Sequence, residues 1–267
     1  MFDILAYHSS RPQAERAVDE ALDEVERLDR VMSHFKPESD LSTLNREGRR
    51  GFVKVDLALY DVIETSLTVS RLSGGKFDVT VAPLVRMWKD AQGEGRSPSP
   101  AEIAGAKRCV GYENVDLEPP DRIRFRSDCL EIELGGIGKG YAVDRAIAVL
   151  RSAGIQNAVV NGGSSSITGI GTPPGGIGWP VRLGANAVAR EVLLLDRSIS
   201  TSQQDGAIID PQTALPAAIS TMITVSAPSA TLADALSTAL VMMTRTEGAK
   251  LMGNFSDVSV VYDEDAR

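Results

Sequence analysis

The residues best suited to bind a phosphate form a glycine-rich run, Gly135-Gly136-Ile137-Gly138-Lys139-Gly140. A strand pattern precedes the run and a helix pattern follows it, so backbone N–H groups and the positive end of a helix dipole would face an anion there. Lys139 adds a positive charge. The run departs from the dinucleotide pattern G-x-G-x-x-G because position 141 is Tyr, and from the P-loop because position 133 is Glu. Glycines also allow backbones to pack closely, and the run alone supports that interpretation equally.

A carboxylate and a hydroxyl share one face of a predicted helix within residues 233–238. Asp234 and Thr238 are four residues apart, which places both side chains over the same turn. Mg²⁺ prefers such oxygen ligands and usually shares them with phosphates. Thr231 and Asp234 also match a helix-capping pattern, and the segment alone favours this structural role for Asp234.

A third polar segment, residues 32–45, predicts structure more than chemistry. Pro37 ends a long helix, and Ser39 is placed to cap a short second one. We expect Met32 and Phe35 to lie in the core, because apolar residues next to helices usually do.

The elements that must position these residues mix helices with antiparallel strands. Apolar residues three and four apart predict helices over residues 14–32, 57–72 and 141–153. Alternation over residues 122–134 predicts a β-hairpin that leads into the glycine run, and an apolar strand follows at 158–160. Further predicted strands cover residues 181–183, 191–195, 221–226 and 258–262. The predicted class is α+β.

Composition limits the partners and the compartment. The 267 residues carry a net charge of -8 and include no run rich in Lys and Arg, which argues against nucleic acid as a partner. An anionic ligand would therefore need local N–H groups, a few basic side chains or a bound cation. No run of about 18 apolar residues occurs, so we expect no membrane insertion and a cytoplasmic location.

Two cysteines and two histidines make a metal or disulfide framework improbable. Cys109 and Cys129 show no paired spacing, and the histidines are too few to complete a zinc site with them. We expect both cysteines to be buried and inert.

Taken together and in order, six segments of the chain resemble the ApbE family of flavin transferases over nearly the whole length. The most specific segment is the glycine run continued through Asp144, and the patterns Asp-Pro-x-Thr and Ala-Asp-x-x-x-Thr support it. The matching segments are residues 32–45, 74–85 with Trp88, 134–144, 161–163, 208–213 and 233–238.

The resemblance implies a fold, a reaction and a partner. The fold would be T-fold-like, with helices packed on antiparallel sheets and two intimate lobes around a flavin cleft, in a single domain over residues 1–267. The reaction would be a Mg²⁺-dependent phosphoryl transfer. The FMN half of FAD would pass to a threonine or serine hydroxyl of an acceptor flavoprotein, and AMP would leave.

The resemblance also assigns site residues. Mg²⁺ would be held by Asp234, Thr238 and a backbone carbonyl near Gly138. The residues that would contact FAD are Met32, Ser33, Asp78, Gly138, Lys139, Asp144, Gly162 and Gly163.

The chain departs from the family pattern where substrate would be handled. The family usually has His before the Ile-Ile-Asp-Pro stretch, as a candidate base for the acceptor hydroxyl, but this chain has Ala207. A Thr-Gly pair is Thr213-Ala214 here, a Ser-Gly-aromatic loop is shortened, and a Met-Gly-Thr segment is missing. Asp205 and Asp210 are the replacement bases that we consider. FAD pyrophosphatase activity, or flavin binding without catalysis, are the alternatives.

Overall fold

A six-stranded antiparallel sheet with helices packed on it forms the framework of the molecule. The computed structural model describes residues 2–183, 190–203, 208–217 and 222–263. In this part of the chain the strands are Phe2–Tyr7 (β1), Val53–Lys54 (β2), Val115–Glu118 (β3), Arg122–Phe125 (β4), Asn157–Gly162 (β5), Ser166–Ile170 (β6), Trp179–Leu183 (β7), Arg190–Leu194 (β8), Arg197–Ser202 (β9), Met222–Ala227 (β10) and Ser259–Asp263 (β11).

The helices lie in groups between these strands along the chain. They are Arg11–Met32 (α1), Asp40–Glu47 (α2), Leu57–Leu72 (α3), Ala82–Gly93 (α4), Pro100–Lys107 (α5), Gly138–Ser152 (α6), Ala230–Val241 (α7) and Arg245–Met252 (α8). The large sheet has the order β1-β5-β6-β9-β10-β11, a smaller one has the order β2-β4-β3, and β7 pairs with β8. All of these pairings are antiparallel, so the α+β class is confirmed.

Two helices on the large sheet bring the glycine run and the Asp234 segment together. α6 packs against β5 and β6, and α7 packs against β9 and β10. The two helices meet near their N-termini at Gly140, where an added Cβ would lie 2.2 Å from the Ala230 carbonyl oxygen. Since no other residue fits this approach, Gly140 sets the distance between the helices.

Local capping explains why several predicted helices appear at the predicted positions. The Asp56 carboxylate accepts a hydrogen bond from the Ala58 N–H at the start of α3. Gly74 and Gly75 follow the end of α3 with φ of 62° and 80°, a left-handed conformation that favours glycine. Ser39 caps α2 through the N–H of Ser42. These helix ends are confirmed.

The predicted hairpin over residues 122–134 is partly wrong. β4 pairs with β3, which precedes it, and no named strand covers residues 130–134. Ile132 is buried there, but its backbone N–H and carbonyl bond to the Asn45 side chain at 2.8 and 2.9 Å. The alternating pattern therefore indicates which residues are buried and does not indicate a strand here. The Asn45 side chain makes the backbone hydrogen bonds that a neighbouring strand would otherwise make.

The prediction for the cysteines is wrong. Cys109 and Cys129 form a disulfide, and Cys129 is exposed. The fold brings Cys109, two residues after the end of α5, next to Cys129 in the segment after β4. Their separation of 20 residues in the sequence does not reveal this proximity. Disulfides persist mainly in oxidising compartments, and the cytoplasmic location stays a prediction.

The helices of the described ranges do not include one with the length and apolar character needed to cross a membrane.

Candidate functional site

A cavity of about 400 Å³ lies between the start of α6, one face of α7, the end of β9 and two loop segments. One wall is polar and comes from the glycine run, β9 and α7. The opposite wall is largely apolar and includes Phe77, Val79, Val81, Val85, Ile208 and Ile209. A ligand that fills the cavity must therefore combine an apolar part with a strongly polar one.

Asp234 is buried in the polar wall and is 3% exposed. Its Oδ2 accepts a hydrogen bond from the Gly140 N–H at 2.9 Å, and its Oδ1 accepts one from Ser200 Oγ at 2.9 Å. The predicted capping alternative is excluded by the geometry, because Ser229 caps α7 through the N–H of Leu232. Burial raises the pKa of the Asp234 carboxyl, and the nearby charge of Lys139 opposes this effect.

Thr238 lies one helical turn further along the same face of α7. Its Oγ1 donates to the Gly136 carbonyl at 3.3 Å, and both residues line the cavity. An added Cβ at Gly136 would lie 3.0 Å from Thr238 Cγ2, so the glycine permits this approach. The structure thus brings Asp234, Thr238 and the glycine run to one place, as predicted from the resemblance.

The loop carbonyl beside Thr238 belongs to Gly136, whereas the prediction named Gly138. The Gly138 N–H donates to the Leu134 carbonyl at 2.7 Å as α6 begins, and Gly138 is not part of the cavity wall. Lys139 does line the cavity, and its Nζ donates to the Gly135 carbonyl at 3.4 Å. The lysine is therefore folded back along its own loop.

Three oxygen donors of different kinds meet at this corner: the carboxylate of Asp234, the hydroxyl of Thr238 and the carbonyl of Gly136. This set suits a hard divalent cation such as Mg²⁺, which binds few protein ligands and completes its shell with water and phosphate. Within the described ranges no cluster of three or more His, Cys, Asp or Glu side chains is placed to hold a metal. A cation at this corner would therefore depend on a ligand that brings its own oxygens.

Asp144 holds the start of α7, and its predicted contact with FAD stays a prediction. Its carboxylate accepts hydrogen bonds from the N–H groups of Ala230 and Thr231 and from the hydroxyls of Ser229 and Thr231, at 2.6 to 2.8 Å. It lies outside the wall of the cavity. Asp144 therefore fixes the start of α7 against α6 and so positions Asp234 indirectly.

Four other predicted contacts lie outside the cavity wall. Met32 packs against the main core, and the Ser33 carbonyl accepts a hydrogen bond from Ser39 Oγ at 2.7 Å. Gly162 faces Val143 and Phe2, where an added Cβ would clash. Gly163 has φ of 68° and turns the chain toward Ser165, which does line the cavity.

Asp78 lines the cavity, and both of its carboxylate oxygens accept hydrogen bonds from the protein. Its Oδ1 accepts from the N–H and the hydroxyl of Thr80, and its Oδ2 accepts from the Tyr112 N–H. Burial raises the pKa of this carboxyl, and the hydrogen bonds from Thr80 oppose the shift. Asp78 therefore shapes the segment that carries the apolar wall.

Asp210 forms an ion pair with Lys76. Lys76 Nζ lies 2.9 Å from its Oδ2, and the Gln212 N–H donates to its Oδ1 at 2.8 Å. Both side chains of the pair are largely buried, at 15% and 12% exposure for Lys76 and Asp210. Lys76 therefore occupies the Oδ2 atom of Asp210, and the catalytic role of Asp210 stays a prediction. The other candidate, Asp205, lies outside the described residues together with Ala207.

The loop that follows Asp210 keeps its turn although the family glycine is absent. Ala214 adopts φ of 59°, in the left-handed region that glycine adopts freely. Trp88 Nε1 donates to its carbonyl at 2.9 Å, and Gln212 Nε2 donates to the Gly74 carbonyl at 2.7 Å. These contacts tie the loop to α4 and to the turn after α3.

A second cavity of about 440 Å³ adjoins the first, since Val85 and Glu133 line both. Phe35 lies in its wall and is 74% exposed, so the prediction that Phe35 is a core residue is wrong. Lys89 Nζ lies 5.7 Å from the centre of its ring. An aromatic ring beside Pro37, where the chain leaves a helix, is the sequence signal that could have identified this wall.

Comparisons with known proteins agree with this architecture. The model of the ApbE family matches residues 1–262. A FAD:protein FMN transferase of Treponema pallidum (strain Nichols) is 26% identical over 96% of this chain and 79% of its own length. One from Escherichia coli (strain K12) is 28% identical over 80% of this chain and 67% of its own length.

The fold has a close counterpart among solved structures. A histidine-to-glycine variant of the flavin transferase ApbE from Vibrio cholerae superposes with a TM-score of 0.83 at 26% identity. The superposition covers 98% of this chain and 89% of that one.

Proposed function

Because this chain belongs to the ApbE family, we propose that it transfers the FMN half of FAD to a hydroxyl of an acceptor protein. A threonine or serine oxygen of the acceptor attacks the phosphorus on the riboflavin side of the diphosphate. The bond from that phosphorus to the bridging oxygen breaks, AMP leaves, and the hydroxyl proton passes to a base. The product is a phosphoester between FMN and the acceptor.

The observation that carries this proposal is the convergence of the Asp234 carboxylate, the Thr238 hydroxyl and the Gly136 carbonyl in one cavity wall. These residues would hold Mg²⁺, which when bound neutralises charge on the diphosphate and on the departing AMP. Such a site also explains how a chain of net charge -8 can bind an anionic dinucleotide.

The chain's own residues would bind and orient the dinucleotide. Lys139 supplies positive charge to the diphosphate at the polar wall, and the apolar wall around Phe77 suits a flat ring system. The adjoining cavity beside Phe35 gives space for the other half of a ligand that has two rings. A dinucleotide fits this division better than a mononucleotide does.

Proton transfer from the acceptor is the step for which this chain is least equipped. Position 207 is alanine, and Asp210 is neutralised by Lys76. A positioned base typically contributes about 10²- to 10⁴-fold, so we expect slow transfer. Ala207 is also the feature that favours flavin binding without catalysis. The other alternative is FAD pyrophosphatase activity, in which water replaces the acceptor hydroxyl and FMN and AMP are released.

One experiment separates these functions. Purified protein is incubated with FAD and Mg²⁺, with and without flavoprotein domains as acceptors, and the nucleotides are separated by chromatography. Transfer predicts AMP release that requires an acceptor, together with a flavin signal on the acceptor that survives denaturation. AMP and free FMN without an acceptor would establish the pyrophosphatase, and bound FAD without AMP would overturn both enzymatic proposals.

A further inference from the structure

Two buried side-chain oxygens in the described part of the chain have no hydrogen-bond partner, Tyr60 Oη and Ser165 Oγ. A buried hydroxyl without a partner is uncommon in proteins and calls for an explanation such as a missing ligand. Tyr60 belongs to α3 and packs in the main core, outside the cavity wall. Ser165 lines the cavity described above, so only its hydroxyl is placed where a ligand could satisfy it.

The serine hydroxyls in and behind the polar wall near Ser165 are paired with one another. Ser166 Oγ lies 3.1 Å from Ser200 Oγ, which donates to Asp234, and Ser202 Oγ lies 2.8 Å from Ser237 Oγ. Ser165 therefore differs from these neighbouring serines, because its hydroxyl has no hydrogen-bond partner. A shortage of polar neighbours does not explain its unpaired oxygen.

The backbone around Ser165 is fixed, whereas its hydroxyl is not. Gly163 and Ser164 adopt φ of 68° and 63°, which turns the chain between β5 and β6. The Ser165 carbonyl accepts the Thr201 N–H at 2.8 Å and so attaches this turn to β9. A serine has one side-chain torsion before its hydroxyl, and rotation about it is enough to present Oγ to the cavity.

The surroundings of Ser165 select the chemistry of its partner. An added Cβ on Gly163, two residues before it, would lie 3.8 Å from Lys139 Cδ, so the turn adjoins the lysine of the glycine run. Asp234 and Thr238 line the same cavity. A group that meets Ser165 here is therefore close to a cation and to the proposed metal ligands, as a phosphate would be.

We propose that Ser165 Oγ donates a hydrogen bond to a phosphate oxygen of the bound dinucleotide. This inference rests on the proposed function, and it adds a binding residue from the turn between β5 and β6 to the wall formed by α6 and α7. A hydroxyl that donates to a charged oxygen forms one of the stronger hydrogen bonds in proteins.

The test compares Ser165→Ala with Tyr60→Phe, because each substitution removes one unpaired buried hydroxyl and changes little else. Affinities for FAD with Mg²⁺ and for riboflavin, which has no phosphate, are measured by calorimetry. We expect Ser165→Ala to weaken FAD binding by roughly tenfold or more and to leave riboflavin binding unchanged. Tyr60→Phe should change neither affinity.

Melting temperatures of the ligand-free variants separate a lost contact from a damaged fold. Neither variant should melt below the wild type, because no existing hydrogen bond is removed. Unchanged FAD affinity in a folded Ser165→Ala protein would overturn the inference, as would an equal loss of riboflavin binding. If the wild type does not bind FAD, the proposed function fails and this inference fails with it, so the two failures are distinguishable.

Discussion

Two buried carboxylates at the cavity, Asp234 and Asp210, are stabilised differently: Asp234 lines the cavity, whereas Asp210 lies between the lining residues Ile209 and Pro211 in the chain. Asp234 accepts hydrogen bonds from a backbone N–H and a serine hydroxyl, and no ion pair to it occurs within the described ranges. Asp210 is paired with Lys76 Nζ at 2.9 Å. Asp234 thus lacks a directly bound cation, whereas Asp210 already has one.

The difference bears on where the proposed divalent cation would bind. Burying a carboxylate without a partner of opposite charge is costly, and the raised pKa of Asp234 is the consequence. A metal ion would supply the missing charge. Asp210 already has a cation beside it, and its pair with Lys76 ties the 208–217 loop to the segment after α3. Of the two carboxylates, Asp234 is therefore the one whose charge a bound cation would compensate.

Restoring the histidine should have the largest effect on this comparison. We expect Ala207→His to raise the rate of FMN transfer by roughly 10²- to 10⁴-fold, because a positioned base would accept the proton of the acceptor hydroxyl. Ala207→Gln, which is also polar but is not a base at neutral pH, is the control. The rate of covalent flavin incorporation measures the effect. Equal rates in the wild type and Ala207→His would mean that the base is not the only catalytic group that this chain lacks.

Neutralising the two carboxylates in turn should affect activity unequally. Asp234→Asn should lower kcat/KM for transfer by roughly 10²- to 10³-fold, because the charge that holds the cation is lost while the shape is kept. Asp210→Asn should lower it far less.

The main effect of Asp210→Asn should appear in stability. Lys76 is left without its partner, which should cost roughly 1–3 kcal/mol in the free energy of unfolding. Steady-state kinetics and denaturant unfolding on both variants measure the two effects. An equal loss of activity in a folded Asp210→Asn protein would restore Asp210 as a catalytic candidate.

Removing the disulfide should destabilise the protein near the loop that carries Ile209. Ile103 and Ala106 of α5 pack in the cluster that includes Ile209 and Ala214, and Cys109 lies two residues after the end of α5. The double variant Cys109→Ser, Cys129→Ser should lose roughly 2–4 kcal/mol of unfolding free energy. Urea unfolding measures the loss, and the reduced wild type is the matched comparison. No loss in either would mean that the bridge constrains nothing in the unfolded chain.

The pH dependence of metal binding should give the smallest effect. Burial raises the pKa of Asp234 above its unfolded value, so the metal-free protein loses stability as pH rises through the interval between the two. A bound cation favours the carboxylate and offsets this loss. The increase in melting temperature produced by Mg²⁺ should therefore grow by roughly 2–4 °C from acidic to neutral pH.

Asp234→Asn is the control for the pH experiment. Asp78 keeps its own raised pKa in this variant, so any pH-dependent effect of Mg²⁺ that remains would come from elsewhere. An effect of Mg²⁺ that does not depend on pH in the wild type would contradict the assignment of Asp234 as the ligand.

Helix limits and the glycine run could be read from the sequence because their causes are local. The Asp56 cap, the Gly74-Gly75 ending and the amphipathic spacing of α1 each involve residues within a few positions of one another. The six family segments likewise preserve their order along the chain. These features gave the α+β class and the neighbourhood of Asp234, Thr238 and the glycine run.

The sequence by itself determined the family, most of the helices and the residue types available for binding. Only the tertiary structure decided which carboxylate does what: Asp144 caps α7 from 87 positions away, and Asp210 is paired with Lys76 from 134 positions away. The unpaired hydroxyl of Ser165 and the disulfide between Cys109 and Cys129 were also visible only in the tertiary structure. The physical reason is that a polar side chain takes its role from its partners, and these partners are brought together by packing between distant elements.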